Sequence, residues 1–148
     1  MIDISEKESI QREAKASGKI HLKEKTIQRI KNKKVEKGDV FTIAKIAGIS
    51  AVKKVPDIIP LCHPIPINNV NISFEIEGNT TIKVICTVKS DAKTGVEMEA
   101  LTGVSIALLN IWDVVKMYEK DINGQYPTTF ISDIRVEQKI KILNKNDR

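Results

Sequence analysis

The stretch from Val70 to Asp91, VNISFEIEGNTTIKVICTVKSD, limits the possible folds of this chain more than any other segment. Apolar and polar residues alternate on both sides of Glu77-Gly78-Asn79-Thr80. Val70, Ile72, Phe74 and Ile76 therefore share one face of a strand, and Ile82, Val84, Cys86 and Val88 share the matching face of a second. The expectation is a β-hairpin with one buried face, which demands a covering layer.

Helical patterns supply that layer. ALTGVSIALLNIWDVVKMYEKD, from Ala100, predicts a long and mostly apolar helix ending near Asn123-Gly124. In VEKGDVFTIAKIAGISAVKKVPDI, Asp39 is a good N-cap, and Val40, Ile43, Ala44, Ala47, Ala51, Val52 and Val55 recur at helical spacing until Pro56 stops them. Lys53 and Lys54 would fall in its last turn, favourably for the helix dipole. Ile27 and Ile30 predict a short amphipathic helix over Lys25 to Asn32. Residues 1–24 read as a polar arm, irregular or extended, with Gly18 limiting any helix. TTFISDIRVEQKIKIL alternates again and predicts a last long strand before a charged tail at 143–148. No repeat or linker interrupts residues 1–148, so a single α+β domain with an antiparallel sheet is the economical architecture.

At 148 residues the chain can bury a real core without disulfides or metals. Its apolar runs look too short to span a bilayer, and its first residues lack a signal-peptide layout, so the expectation is a soluble, cytoplasmic protein with no membrane partner. Cys62 and Cys86 fit neither a CxxC metal site nor a disulfide framework. A net charge of +5 invites nucleic acid as a partner, but only 4% of residues are aromatic, which leaves few stacking platforms for single strands. The same charge suits a small polyanion, or simply a solvated surface.

Three groups of residues stand out as chemical. IPLCHPIPI places His63 beside Cys62 in a stiff, proline-fixed, non-helical segment. A metal, a nucleophilic pair, an anionic ligand or a core hydrogen bond are all open to that histidine, although neighbours in an extended segment point to opposite sides, which disfavours a Cys/His dyad. Asp113 and Lys116 interrupt the apolar half of the long helix three residues apart. They form either a partly desolvated acid/base pair or an exposed salt bridge worth a few tenths of a kcal/mol. Glu97 and Glu99 flank Met98, where they could serve as acid and base, accept the donor edge of a guanine-like ring, or merely favour a helix N-terminus. On a regular helix Asp113 returns to within roughly 40° of the Glu99 face but about 21 Å further along. A small ligand reaches both ends more easily across an interface between two chains than within one.

KGDVFTIAKIAGISAVKKVPDIIPLCHPIPI, KTGVEMEALTGVSIALLNIWDVVK and, more weakly, IDISEKESIQREAKA resemble the cyclic pyranopterin monophosphate synthase (MoaC) family of molybdenum cofactor biosynthesis. The resemblance implies a ferredoxin-like α+β fold and a hexamer built as a trimer of dimers with sites at subunit interfaces. It also implies a lyase that takes 3′,8-cyclo-7,8-dihydroguanosine triphosphate from a radical partner enzyme, rebuilds it as a pterin, closes a cyclic phosphate and releases diphosphate. Asp113 matches the family's catalytic aspartate, Lys116 the lysine beside it, and Lys37 a further active-site lysine. Leu61, Cys62 and His63 match one substrate-contacting segment, and Met98 with Glu99 match a second. Glu97 matches a carboxylate near the purine, and Arg12 an N-terminal arginine. His63, held rigid by its prolines, would then donate to a phosphate or ribose oxygen, with Cys62 presenting backbone and bulk.

No redox cofactor is needed for such chemistry, and the sequence offers no metal cage. One departure stands out: many bacterial members carry a lysine-bearing, glycine-rich C-terminal loop, whereas no glycine follows Gly124 here. Lys139 or Lys141 could stand in for that loop's lysine, but each alternates along the expected last strand and reads as a surface residue. Two rival readings remain, a basic RNA-binding module and an inactive scaffold in which Asp113 and Lys116 form a structural ion pair.

Overall fold

The computed structural model describes residues 1–142, so the charged tail expected at 143–148 lies outside the described residues. The elements run β1 (Ile10–His21), α1 (Glu24–Lys31), α2 (Val40–Val52), α3 (Val55–Ile58), β2 (Asn69–Glu77), β3 (Thr81–Ala92), α4 (Glu97–Glu119) and β4 (Phe130–Ile142). All strand pairs are antiparallel and the spatial order is β2-β3-β1-β4. A β-α-β-β-α-β succession in that order is the ferredoxin-like arrangement.

The hairpin forms as its alternation predicts, with Ile72↔Cys86 and Phe74↔Val84 in register and a tight turn at Gly78, whose φ is 63°. Ile72, Ile82, Val84, Cys86 and Val88 are buried beneath α2 and α4. The opposite sheet face carries the cross-strand ion pairs Lys19–Glu77, Lys83–Glu137 and Lys89–Glu13. This is the usual division of an antiparallel sheet into a packed and a solvated face.

Part of the polar arm is in fact the central strand β1. Its core-facing residues are Ala14, Ala16, Gly18 and Ile20, small enough that the alternation carries little hydrophobic contrast. At Gly18 the size is imposed by α4: a Cβ there would lie 2.8 Å from Leu108 Cδ1 and 2.9 Å from Val104 Cγ1. Gly18 permits a close approach and does not break the element. The same device recurs where α2 crosses α4, since a Cβ on Gly103 would lie 2.8 Å from Cys86 Sγ and 2.9 Å from Val52 Cγ2.

Asp39 caps α2 as expected, accepting from the Thr42 N–H at 2.8 Å. The helix ends at Val52, so Lys53 and Lys54 follow it instead of filling its last turn, and Pro56 sits in the first turn of the short α3, where its missing N–H costs nothing. The last long helix begins at Glu97 and ends at Glu119, and the chain then turns through Gly124, whose φ is 74°. By length and composition α4 could cross a bilayer, contrary to the expectation from apolar runs. Here its apolar face is core: Gly103, Val104, Ala107, Leu108, Ile111, Val114 and Val115 are buried. Its last residue, Glu119, is fully buried, accepting from the hydroxyls of Thr26 and Thr129 and from the Lys23 N–H, which ties α1 and the approach to β4 onto the helix end.

Candidate active site

The first end of the site is a cavity of about 440 Å³ at the N-terminus of α4. Leu61, Cys62 and His63 line one side, while Glu97, Met98 and Glu99 line another. The proline segment is non-helical, but it is not extended throughout. Ile59 to Cys62 form a turn closed by the Cys62 N–H on the Ile59 carbonyl at 3.0 Å, with Pro60 at the turn position that suits its fixed φ. That turn is why three successive residues reach one cavity, where extended chain would have sent Cys62 and His63 to opposite sides. Burial pushes the Cys62 thiol above its ordinary value, with the Glu99 charge adding to the effect, so it is a poor nucleophile.

Glu97 and Glu99 occupy the first turn of α4, and the Glu97 side chain folds back over Gly95, where a Cβ would collide with its carboxylate. The two carboxylates have different surroundings. Glu99 is only 3% exposed, and burial, reinforced by the charge of Glu97, raises its carboxyl above the ordinary glutamate range. Burial acts in the same direction on Glu97, but its ion pair with Lys139 outweighs that and lowers it. Lys139 on β4 is therefore part of the cavity wall and not merely a surface lysine. Its register opposite the buried Ala14 puts it on the helix-covered side of the sheet, and strand alternation alone gave no sign of Glu97 there.

Residues near the N-terminus also reach the cavity, through Met1, Ile2, Ile4 and Lys7. Lys93 holds this segment by donating to the Ser5 carbonyl at 2.8 Å. Arg12 stands behind the wall: its guanidinium is buried and donates to the carbonyls of Ala92 (2.8 Å) and Lys93 (3.3 Å). It fastens β1 to the connection leading into α4, and its positive charge contributes to lowering Glu97.

The second end lies on the far half of α4. Asp113 accepts from Lys116 through Oδ1 at 2.7 Å and from Lys37 through Oδ2 at 3.1 Å, and Lys37 also donates to the Asp113 carbonyl at 3.0 Å. The side chains are 56% exposed for Asp113, 38% for Lys37 and 44% for Lys116, so in the single chain the solvated salt bridge forms, of the two readings open from sequence, and not the desolvated pair. Asp113 points to the open side of the helix while Val114 and Val115 beside it enter the core. Its hydrogen bonds from Lys116, then Lys37, hold its carboxyl below the ordinary aspartate range, and Lys116 is raised in return.

Nine of the ten residues singled out from sequence thus gather at two centres along α4, Lys37 arriving from the connection before α2, and Arg12 acts from behind the first. The centres stand about 21 Å apart along the helix axis. Among the described residues no group of three His, Cys, Asp or Glu side chains could hold a metal ion.

Comparison with known proteins gives this geometry a family. The MoaC family model matches residues 1–141, which include both ends of α4. A protein of Sulfurisphaera tokodaii described as a probable cyclic pyranopterin monophosphate synthase is 59% identical over 141 residues, covering 95% of this chain and 93% of the relative. Proteins with the same description from Archaeoglobus fulgidus and Thermococcus kodakarensis are each 57% identical over 95% of this chain and 90% of their own length. With the ferredoxin-like sheet, the proline turn against the Glu97–Glu99 cavity and a family match along almost its whole length, the chain belongs to the MoaC family.

Proposed function

We propose that this protein is a cyclic pyranopterin monophosphate synthase, a lyase of molybdenum cofactor biosynthesis. It would convert 3′,8-cyclo-7,8-dihydroguanosine triphosphate, supplied by a radical enzyme in the cytoplasm, to cyclic pyranopterin monophosphate and diphosphate. The observation that carries the reading is the pairing of a half-enclosed acidic cavity with a separate Asp113–Lys37–Lys116 cluster on one helix. Relatives at 57–59% identity described as this synthase support it.

The cavity suits recognition of the nucleotide base. Glu99, buried beside Met98, can accept from the N–H groups of a guanine-like ring, and such a bond gains strength away from water. His63 faces the same space from a backbone stiffened by Pro60 and Pro64, so little ordering entropy is lost when its ring donates to a ribose or phosphate oxygen. Lys7 and Lys139 add positive charge to the cavity wall.

The second cluster suits proton transfer and phosphate. A carboxylate with two ammonium donors can pass protons as the imidazole ring of the base opens and the pterin ring closes. A ribose-derived hydroxyl then attacks the α-phosphorus, the bond from that phosphorus to the bridging oxygen breaks, and diphosphate leaves with the charge. Lys37 and Lys116 would stabilise that charge. Because a gap of about 21 Å exceeds the reach of one nucleotide's reacting centre, the two ends serve one substrate when they come from two copies of the chain. A trimer of such dimers is the assembly we propose.

The test is turnover of the cyclised triphosphate by the unmodified protein and by Asp113→Asn, following diphosphate and pterin together. Turnover by the first and binding without turnover by the second is expected. A folded protein that binds the substrate but releases neither product would reject the reading.

A further inference from the structure

Lys37 lies in the connection 32–39 between α1 and α2, and a lysine there would ordinarily sample many rotamers. Several contacts hold the connection. Val35 is buried, Gly38 turns the chain at a φ of 112°, and Asp39 caps α2. One further contact comes from α4 itself: the Glu36 N–H donates to Tyr118 Oη at 3.0 Å. The Tyr118 ring packs against the core on one side and carries the Arg29 guanidinium 4.7 Å from its centroid. Tyr118 follows Asp113 by five residues, about 7.5 Å along the axis. The residue preceding Lys37 is thus tied to the same rigid element that carries the carboxylate Lys37 meets.

We infer that Tyr118 is a positioning residue: its hydroxyl fixes the connection 32–39 against α4 so that the Lys37 ammonium is held on Asp113. Its value for turnover rests on the proposed roles of Asp113 and Lys37, whereas its effect on the Asp113–Lys37 contact is independent of them. A phenylalanine in its place keeps the ring, the packing and the Arg29 contact and removes only the acceptor.

The experiment compares Tyr118→Phe, Lys37→Ala and the double variant with the unmodified protein. The Asp113 carboxyl is titrated by ¹³C NMR on aspartate-labelled protein. Lys37 and Lys116 are the charged groups that meet Asp113 among the described residues. Loss of a cation from a carboxylate raises its pKa. The expected result is an Asp113 midpoint that rises in Tyr118→Phe towards that of Lys37→Ala. In turnover, kcat/KM should fall roughly 3- to 10-fold in Tyr118→Phe, the size of one neutral hydrogen bond. It should fall no further when Tyr118→Phe is added to Lys37→Ala, because coupled residues are not additive.

An Asp113 midpoint in Tyr118→Phe equal to that of the unmodified protein would overturn the inference, as would losses that simply multiply in the double variant. If even the unmodified protein fails to turn over the substrate, the proposed function fails, and the NMR titration still decides the role of Tyr118.

Discussion

At its N-terminal end α4 holds Glu99 buried beside a cavity, whereas four turns later it holds Asp113 more than half exposed between two lysines. Burial raises the first carboxyl, and hydrogen bonds from Lys116 and Lys37 lower the second. Two acids on one helix are thereby driven in opposite directions by their surroundings, a pattern that fits the recognition and proton-transfer roles proposed for them. The difference also fits the complementary roles proposed for the two ends. The cavity has enclosure, with Lys139 tied to Glu97, whereas the Asp113 cluster sets two lysines on one carboxylate without enclosure.

Variants that remove a single group from either end should separate the two roles. The largest effect is expected from Asp113→Asn, a fall in kcat of roughly 10²- to 10⁴-fold with substrate affinity retained, measured by single-turnover diphosphate release. His63→Ala should act in the other currency, raising KM roughly 10- to 100-fold through loss of a hydrogen bond to a charged ligand, with a smaller change in kcat. Similar kcat losses from both would erase the distinction between the ends.

A change between the ends should weaken both alike. Gly103→Ala forces a methyl between Cys86 and Val52, and overpacking of this kind costs about 1–3 kcal/mol, more than the ~1 kcal/mol that alanine gains over glycine in a helix. The melting temperature should fall by a few degrees, with KM and the Asp113 titration unaltered in the folded fraction.

The smallest effect sharpens the contrast in pKa. A carboxyl raised by folding stabilises the folded chain only while it is protonated. That contribution is complete below the ordinary glutamate value of about 4.3 and disappears as pH rises through the folded value. Glu99→Gln should therefore melt above the unmodified protein at pH 7 and level with it below about pH 4, while binding substrate less well. Thermal melts across that range test the sign. An unchanged or lower melting temperature at pH 7 would mean that Glu99 is not penalised by burial.

Much of this was legible in the sequence because the relevant residues carry strong local patterns. The hairpin is written in the alternation from Val70 to Val88, the α2 cap in Asp39, and the separation of the two acidic ends in the count of residues between Glu99 and Asp113. β1 was read as an arm because Ala14, Ala16 and Gly18 face the core with almost no side chain, and at Gly18 only the proximity of Val104 and Leu108 explains that. Asp113 and Lys116 stood open between a partly desolvated pair and an exposed salt bridge, and the exposed one is what forms. Apolar neighbours in sequence point elsewhere on a helix, and Val114 and Val115 turn inward while Asp113 turns out. Lys139 and Tyr118 were passed over because their partners, Glu97 and the Glu36 N–H, lie 42 and 82 residues away in sequence. No local pattern encodes contacts of that range.

Mixing Asp113→Asn with the weakly binding His63→Ala, at substrate well below the raised KM so that each alone is nearly silent, tests the central claim, that one substrate is served by opposite ends of α4 from two copies of the chain. Asp113→Asn and His63→Ala are unfolded together and refolded, or co-expressed, and assayed for pterin and diphosphate. In a composite site each mixed pair holds one doubly damaged and one intact site, so random pairing should restore about a quarter of the unmodified activity. Activity no higher than the sum of the separate variants, from mixed assemblies shown to have formed, would contradict the account and return both ends of the site to a single chain.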